Sequence, residues 1–270
     1  MKIGLVQQYA SADLDDNLRR GAAAFRAAAE AGAELVAFAE LAFLPFLPRV
    51  PSDRNPGFGS FAQSVPGALT EEFGGLARRY GVVTVLNLFE RDGERTFDTS
   101  PVIDADGRLL GKTRMVHIME GPGFHERGYY SPGDEPRFVF ATAVGKVGIA
   151  ICYDRHFPEY MRGLKLLGAR LVVVPQAGVI DEWGEGVYEG ELRIASLQNG
   201  YFAALVNRVG REEDLHFSGE SFVTDPLGQV IGRASRDRDH VLVVECDLGQ
   251  IERCPAYRHF LADRRPGVYR

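Results

Sequence analysis

The sequence contains no apolar run of about 18 residues, so it offers no candidate membrane-spanning helix. Basic residues form no run and no stripe interleaved with aromatics. Together with a net charge of -6, this argues against nucleic acid as a partner. Cysteine is scarce: Cys152, Cys246 and Cys254 make an odd set with no C-x-x-C spacing. That pattern suggests neither a disulfide framework nor a zinc knuckle and fits a reducing compartment. The six histidines are scattered, with no H-x-H or H-E-x-x-H pair, so no metal site is expected. No stretch rich in Pro, Gly or Ser divides the chain. The opening M-K-I-G-L-V-Q-Q enters a strand-like run at once and lacks the parts of a signal peptide, so a cytoplasmic location is expected.

What is present is an ordinary globular composition, 45% hydrophobic and 25% charged over 270 residues. Apolar runs alternate with helical patterns. The pattern predicts strands over 2–8, 34–39, 82–89, 146–151, 171–174 and 201–206, and helices over 15–31, 69–80, 159–167 and 187–198. Two hairpins are expected. One spans 96–103 and 108–118 around D-A-D-G; the other joins S-F-V-T to Q-V-I-G through D-P-L-G. Their similar layout hints at an internal pseudo-repeat. A single α/β domain over residues 1–270 is the economical reading. The irregular stretch from Pro45 to Pro66 reads as a loop near a site. Residues 247–270 carry Pro255, Tyr257, Phe260 and Tyr269 with little periodicity, and are expected to form a tail that lies on another subunit.

Several motifs carry no chemistry. G-E-S-F at Gly219 lacks the closing glycine of a nucleophile elbow. G-P-G-F-H-E at Gly121 has glutamate where a dinucleotide loop needs glycine, and no cofactor is expected. The strongest candidate is V-G-I-A-I-C-Y-D-R-H-F-P-E, in which an apolar strand ends at Cys152 just before a helix start. Backbone N–H groups converge there and can favour a thiolate and an oxyanion. The bland alternative is a small core cysteine. In A-E-L-V-A-F-A-E-L an apolar strand closes on Glu40, a carboxylate that is either paired or desolvated as a general base requires. Glu126, in H-E-R, is a weak signal by itself.

Taken together these stretches resemble the carbon-nitrogen hydrolase (nitrilase) superfamily. The likeness rests on A-F-A-E-L-A-F, G-P-G-F-H-E-R-G-Y-Y-S-P-G-D, G-K-V-G-I-A-I-C-Y-D-R-H-F-P-E, G-A-R-L-V-V-V-P-Q-A, Q-N-G-Y-F-A-A-L-V-N-R-V-G and S-F-V-T-D-P-L-G, in order along nearly the whole chain. It implies a four-layer α-β-β-α sandwich with two mixed sheets, and a homodimer or higher homo-oligomer. It implies Cys152 as nucleophile, Glu40 as general base and Glu126 as a second, substrate-positioning glutamate. The Tyr153 N–H would serve the oxyanion. Cys-Tyr-Asp resembles the amidase and N-carbamoyl amidase branches, so the expected partner is a small amide or carbamoyl substrate. Loop position adds Phe43, Gln176 and Trp183 as substrate contacts.

One position departs from the family pattern. In D-G-R-L-L-G-K-T-R-M-V-H-I-M-E-G-P-G-F-H-E the resemblance places the family's catalytic lysine at Met115. If the strand runs through 118, Met115 and His117 share one face and Lys112 and Arg114 the other. Two readings stay open. One is a working amidohydrolase whose missing ammonium is replaced by Lys112 through a bulge, by His117, by backbone donors or by the substrate's own cation. The other is a catalytically weak or silent member that binds a ligand or partner. Retention of Glu40, Glu126 and Cys152 favours chemistry.

Overall fold

A computed structural model describes residues 1–134 and 138–269. Two sheets stack face to face, each covered by helices. The first orders its strands His240–Glu245, Lys2–Gln7, Leu35–Phe38, Val83–Val85, Arg95–Ile103 and Leu88–Asp92, with Leu109–Arg114 also paired to Arg95–Ile103. The second orders Val230–Arg233, Phe222–Thr224, Phe202–Asn207, Leu171–Gln176, Gly145–Ile149 and Val139–Thr142. The expected pseudo-repeat is present in both. Three parallel strands are followed by an antiparallel hairpin, and an antiparallel strand closes the other side.

Alternation along each strand builds the layers. Leu171 and Val173 face the core between the sheets, whereas Val172 and Val174 face the second helical layer. Phe202 and Ala204 likewise divide from Ala203 and Leu205. Burial of both faces explains why these strands read as continuous apolar runs. Helices α1 (Leu14–Glu30) and α2 (Ala68–Tyr80) cover the first sheet, and α3 (Pro158–Leu166) and α4 (Val187–Asn199) the second. Asp13 caps α1 by accepting from Asp16 N at 3.0 Å. Phe25 of α1 meets Phe73 of α2 edge-on at 6.0 Å between ring centres. Among the described residues no helix is long and apolar enough to cross a membrane.

The structure departs from the sequence expectations in ways that matter for the site. The strand expected over 82–89 breaks into Val83–Val85 and Leu88–Asp92, because Asn87 turns its side chain into a buried polar network. The hairpin strand expected to reach Ile118 ends at Arg114. Beyond it Met115 N–H still donates to Asp98 O at 2.9 Å, but the next residues leave the ladder for Asp154. The face argument therefore stops at Arg114. Strands His240–Glu245 and Val139–Thr142 and the hairpin Val209–Glu212/Leu215–Ser218 were not anticipated. The C-terminal stretch begins on its own chain: Ile251 joins the main core, and Cys254 and Ala256 close on Gly200 at the end of α4. Tyr257, Phe260, Val268 and Tyr269 remain exposed.

Candidate active site

Glu40 sits just past the end of strand Leu35–Phe38, in a turn held from several sides. Arg208, fully buried, donates to Glu40 O at 3.0 Å and Leu44 O at 3.0 Å, and pairs with Glu212. Asn87 Oδ1 accepts from Leu41 N at 2.7 Å, while Asn87 Nδ2 donates to Asp98 Oδ1 at 2.5 Å. Leu41 adopts φ 47°, so the turn is tight as well as clamped.

Cys152 follows strand Gly145–Ile149 and opens a short 3₁₀ turn, Cys152–His156, ahead of α3. Its φ of 43° is left-handed, uncommon for a residue with a side chain and a mark of a constrained position. Asp154 ties this turn to the Met115 segment. It accepts from Val116 N at 3.2 Å, His117 N at 3.0 Å and Ile151 N at 3.4 Å, and its Oδ1 lies 2.7 Å from His117 Nδ1. Arg155 Nη1 donates to Cys152 O at 2.9 Å and to Gln176 Oε1 at 2.7 Å.

Glu126 lies in a 3₁₀ turn (Glu126–Gly128) whose carbonyl accepts from Tyr129 N and Tyr130 N at 2.8 Å. Its Oε2 accepts from Met119 N at 3.0 Å. The irregular 45–66 loop packs over this turn: Phe46 meets Phe124 edge-on, and Tyr129 Oη donates to Val50 O at 2.9 Å.

These three segments bring a carboxylate oxygen of Glu40, one of Glu126 and Cys152 Sγ within 4.8 Å of one another. Both glutamates are fully buried and Cys152 is 5% exposed. Glu126 Oε1 is buried without a hydrogen-bond partner, whereas Glu40 shares hydrogen bonds with the Asp98 carboxyl and the Cys152 thiol. Burial, then the charge of Glu126, raises the Glu40 pKa to about 8. Burial also pushes Glu126 and Asp98 well above the usual carboxylate range, with further acids adding to it. The Cys152 thiol is pushed up as well, by burial first and then by Glu40 and Glu126. Burial, with these acids beside it, works against the thiolate that converging N–H groups can favour.

Met115 is fully buried in the main core with Cys152. Neither nearby side chain offered as a substitute cation turns to the thiol. Lys112 pairs with Glu90. His117 binds Asp154 and stacks on Phe157 with ring centres 3.5 Å apart. Phe43 packs against Phe38 and Phe73 at 5.2 and 5.3 Å, as a core side chain. Gln176 is buried, with Oε1 on Arg155 and Nε2 without a partner. Tyr153 makes edge-on contacts with His156 and Phe157. Trp183 meets His156 at 4.8 Å and lines a cavity of about 600 Å³ with Val179, Asp181, Tyr188, Asn207 and Glu220. Glu40, Glu126 and Cys152 do not line that cavity.

Asp98, Arg208, Tyr130 and Glu182 escaped the sequence reading. Asp98 raised no flag because a lone acid in a strand resembles any solvated one. Tyr130 stood within the quoted G-Y-Y-S-P-G-D run but not as a site residue; its buried hydroxyl has no partner. Glu182 lies in the loop before α4, hydrogen-bonds the Tyr188 hydroxyl and adds to the charge felt by Cys152.

The chain matches the carbon-nitrogen hydrolase family over residues 2–256. It is 30% identical to a citrullinase of Francisella tularensis, covering 100% of this chain and 96% of that protein. It is also 30% identical to an N-carbamoylputrescine amidase of Solanum lycopersicum, covering 99% and 93%. A carbon-nitrogen hydrolase from Helicobacter pylori G27 superposes with a TM-score of 0.93 at 28% identity, over 100% of this chain and 97% of that one. A mutant amidase from Nesterenkonia sp. AN1 superposes with a TM-score of 0.82 at 29% identity, covering 100% and 98%; its structure shows acrylamide added at the active-site cysteine.

Proposed function

The chain belongs to the carbon-nitrogen hydrolase family, and from that premise we propose that it hydrolyses amide or N-carbamoyl C–N bonds through a thioester on Cys152. The observation that carries this reading is the meeting of Glu40, Glu126 and Cys152, from three separate segments, in one buried cluster. The relatives named citrullinase and N-carbamoylputrescine amidase support the carbamoyl side of it.

The reaction follows from the groups present. Cys152 holds its proton at rest, so attack on the substrate carbon and proton transfer to Glu40 occur together. Glu40 passes that proton to the departing nitrogen, leaving an acyl or carbamoyl thioester. Glu40 then takes a proton from water as it attacks, and the thiol returns. With an N-carbamoyl amine, one water is consumed overall and an amine, ammonia and carbon dioxide are released. A base with a pKa of about 8 suits both transfers near neutrality. Glu126, held by Met119 N, orients the substrate; the Tyr153 N–H receives the oxyanion. Gln176 Nε2, buried without a partner, and Trp183 are assigned to the substrate. Since Met115 brings no charge, backbone donors or a cation on the substrate supply it.

The test is a panel of carbamoyl amines, ω-amides and simple amides with ammonia detection, run on the natural protein and Cys152→Ala. Turnover of at least one class, abolished in the folded variant, is expected. Turnover that survives the substitution overturns the assignment. The reading extends to a homodimer in a reducing cytoplasm, supported by the exposed Tyr257, Phe260, Val268 and Tyr269 and by three unpaired cysteines. Light scattering that finds only 29.8 kDa particles at micromolar concentration contradicts the dimer.

A further inference from the structure

The groups assigned to catalysis also make a set of metal ligands. Sequence spacing missed it because spacing finds ligands that are neighbours along the chain, whereas these come from three distant segments. One oxygen from Glu40, one from Glu126 and Cys152 Sγ lie within 4.8 Å of one another. Around a tetrahedral zinc ion, with bonds of about 2.0–2.3 Å, such donors stand roughly 3.3–3.7 Å apart, so closing the set takes separations shortened by up to about 1.5 Å.

A second observation points to a cation. Glu126 Oε1 is fully buried and accepts no hydrogen bond, and the Glu40 carboxyl is hydrogen-bonded only within the cluster, to the Asp98 carboxyl and the Cys152 thiol. The basic side chains nearby make their hydrogen bonds elsewhere, and among them only the charges of Arg155 and Arg208 reach Cys152 and Glu40. Lys112 and Arg114 bind Glu90, Arg155 holds Cys152 O and Gln176, Arg208 grips main-chain carbonyls and Glu212, and His117 holds Asp154. Met115 stands where the resemblance puts an ammonium.

We propose that Glu40, Glu126 and Cys152 bind one thiophilic divalent cation, which withholds the nucleophile from reaction. One sulfur and two carboxylate oxygens suit zinc or cadmium; magnesium and calcium seek larger all-oxygen shells. Binding replaces the S–H bond with a sulfur–metal bond and releases to solvent the thiol proton together with any proton carried by the Glu40 and Glu126 carboxyls. The binding itself needs only the geometry of the three donors; its effect on turnover rests on the amidase reading.

The experiment titrates the metal-free full-length protein with Zn²⁺ against a chromophoric chelator, and with Cd²⁺ while following the ultraviolet thiolate-to-metal charge-transfer band. One ion per chain is expected. Cys152→Ala, Cys152→Ser and Glu126→Gln, each checked for folding by circular dichroism, should weaken Zn²⁺ by more than about tenfold, since losing even an outer-shell partner costs 10–100-fold. The Cd²⁺ band should vanish in both Cys152 variants. Met115→Lys should weaken Zn²⁺ similarly, and Lys112→Ala should leave binding unchanged. Equal Zn²⁺ affinity in natural protein and Cys152 variants, or absence of the Cd²⁺ band in natural protein, overturns the proposal. Turnover of the metal-free protein keeps the two readings apart: activity without a Cd²⁺ band on titration removes the metal site and spares the amidase, and a band on titration of a protein that is inactive when metal-free does the reverse.

Discussion

Two buried clusters of acids flank the strand Arg95–Ile103, and they are built on opposite terms. Glu90 accepts from Arg114 Nε at 2.8 Å and Nη2 at 2.7 Å, from Thr99 Oγ1 at 2.6 Å, and from Lys112. Burial alone would raise its pKa, but these donors outweigh it and the net direction is down. Asp98, the next residue along from Thr99, belongs to the other cluster with Glu40, Glu126 and Cys152, where burial and like charge drive every pKa up. Adjacent residues of a strand point to opposite faces, so one sheet separates a compensated cluster from an uncompensated one. The first holds the fold. The second favours protonated groups, the condition that the proposed proton transfers call for.

The largest effect expected from breaking the uncompensated cluster is kinetic. Glu40→Gln should lower turnover by about 10²–10⁴-fold, the usual contribution of a general base. A Gln variant that turns over normally removes Glu40 from the mechanism. The same variant tests the stored proton. Glu40 has its pKa raised from 4.5 to about 8, so between those values the folded protein keeps a proton that the unfolded chain has released. Stability therefore falls as pH rises through that window. In denaturant melts the Gln variant should lose less stability across it than the natural protein.

Breaking the compensated cluster should cost stability instead. Arg114→Ala leaves the buried Glu90 with only Lys112 and Thr99 and should destabilise the fold by up to about 3 kcal/mol in urea unfolding. If the loss is under about 1 kcal/mol, the pairing is ornamental.

Importing a cation sharpens the contrast. Met115→Lys should speed iodoacetamide labelling of Cys152 by at least about tenfold, the effect of lowering a thiol by one pKa unit. It should also raise hydrolysis of a neutral amide, by as much as about 10²–10³-fold where an oxyanion donor was missing. Unchanged labelling means the new ammonium does not reach the thiol. The smallest effect belongs to Lys112→Ala. Lys112 is 21% exposed and shares Glu90 with Arg114, so its loss should cost about 1 kcal/mol or less and leave turnover intact. A large loss of activity there defeats the register that puts Met115 in the lysine position.

The sequence by itself determined the layers, because periodicity is a local property. The run L-V-V-V-P-Q had to be buried on both faces, and α1 carried its own start in Asp13. Chemistry was legible where side-chain type conflicted with its surroundings: Glu40 closing an apolar strand, Cys152 before Tyr-Asp-Arg. The absence of a cation at Met115 is what the family resemblance implies, and the Met115 and Lys112 variants test it. Only the tertiary structure decided what those residues meet. Asp98 joins Glu40 because a strand pairing turns it inward, and Asn87 becomes its partner because strand 82–89 breaks there. Lys112 and Arg114 are drawn to Glu90 across the sheet, a preference no local pattern encodes. The Cys152 thiol is pushed up because the closed fold buries it and, second, because Glu40 and Glu126 arrive beside it from elsewhere in the chain. The electrostatics of a buried group are a sum over contacts, and contacts exist only once the two sheets have closed.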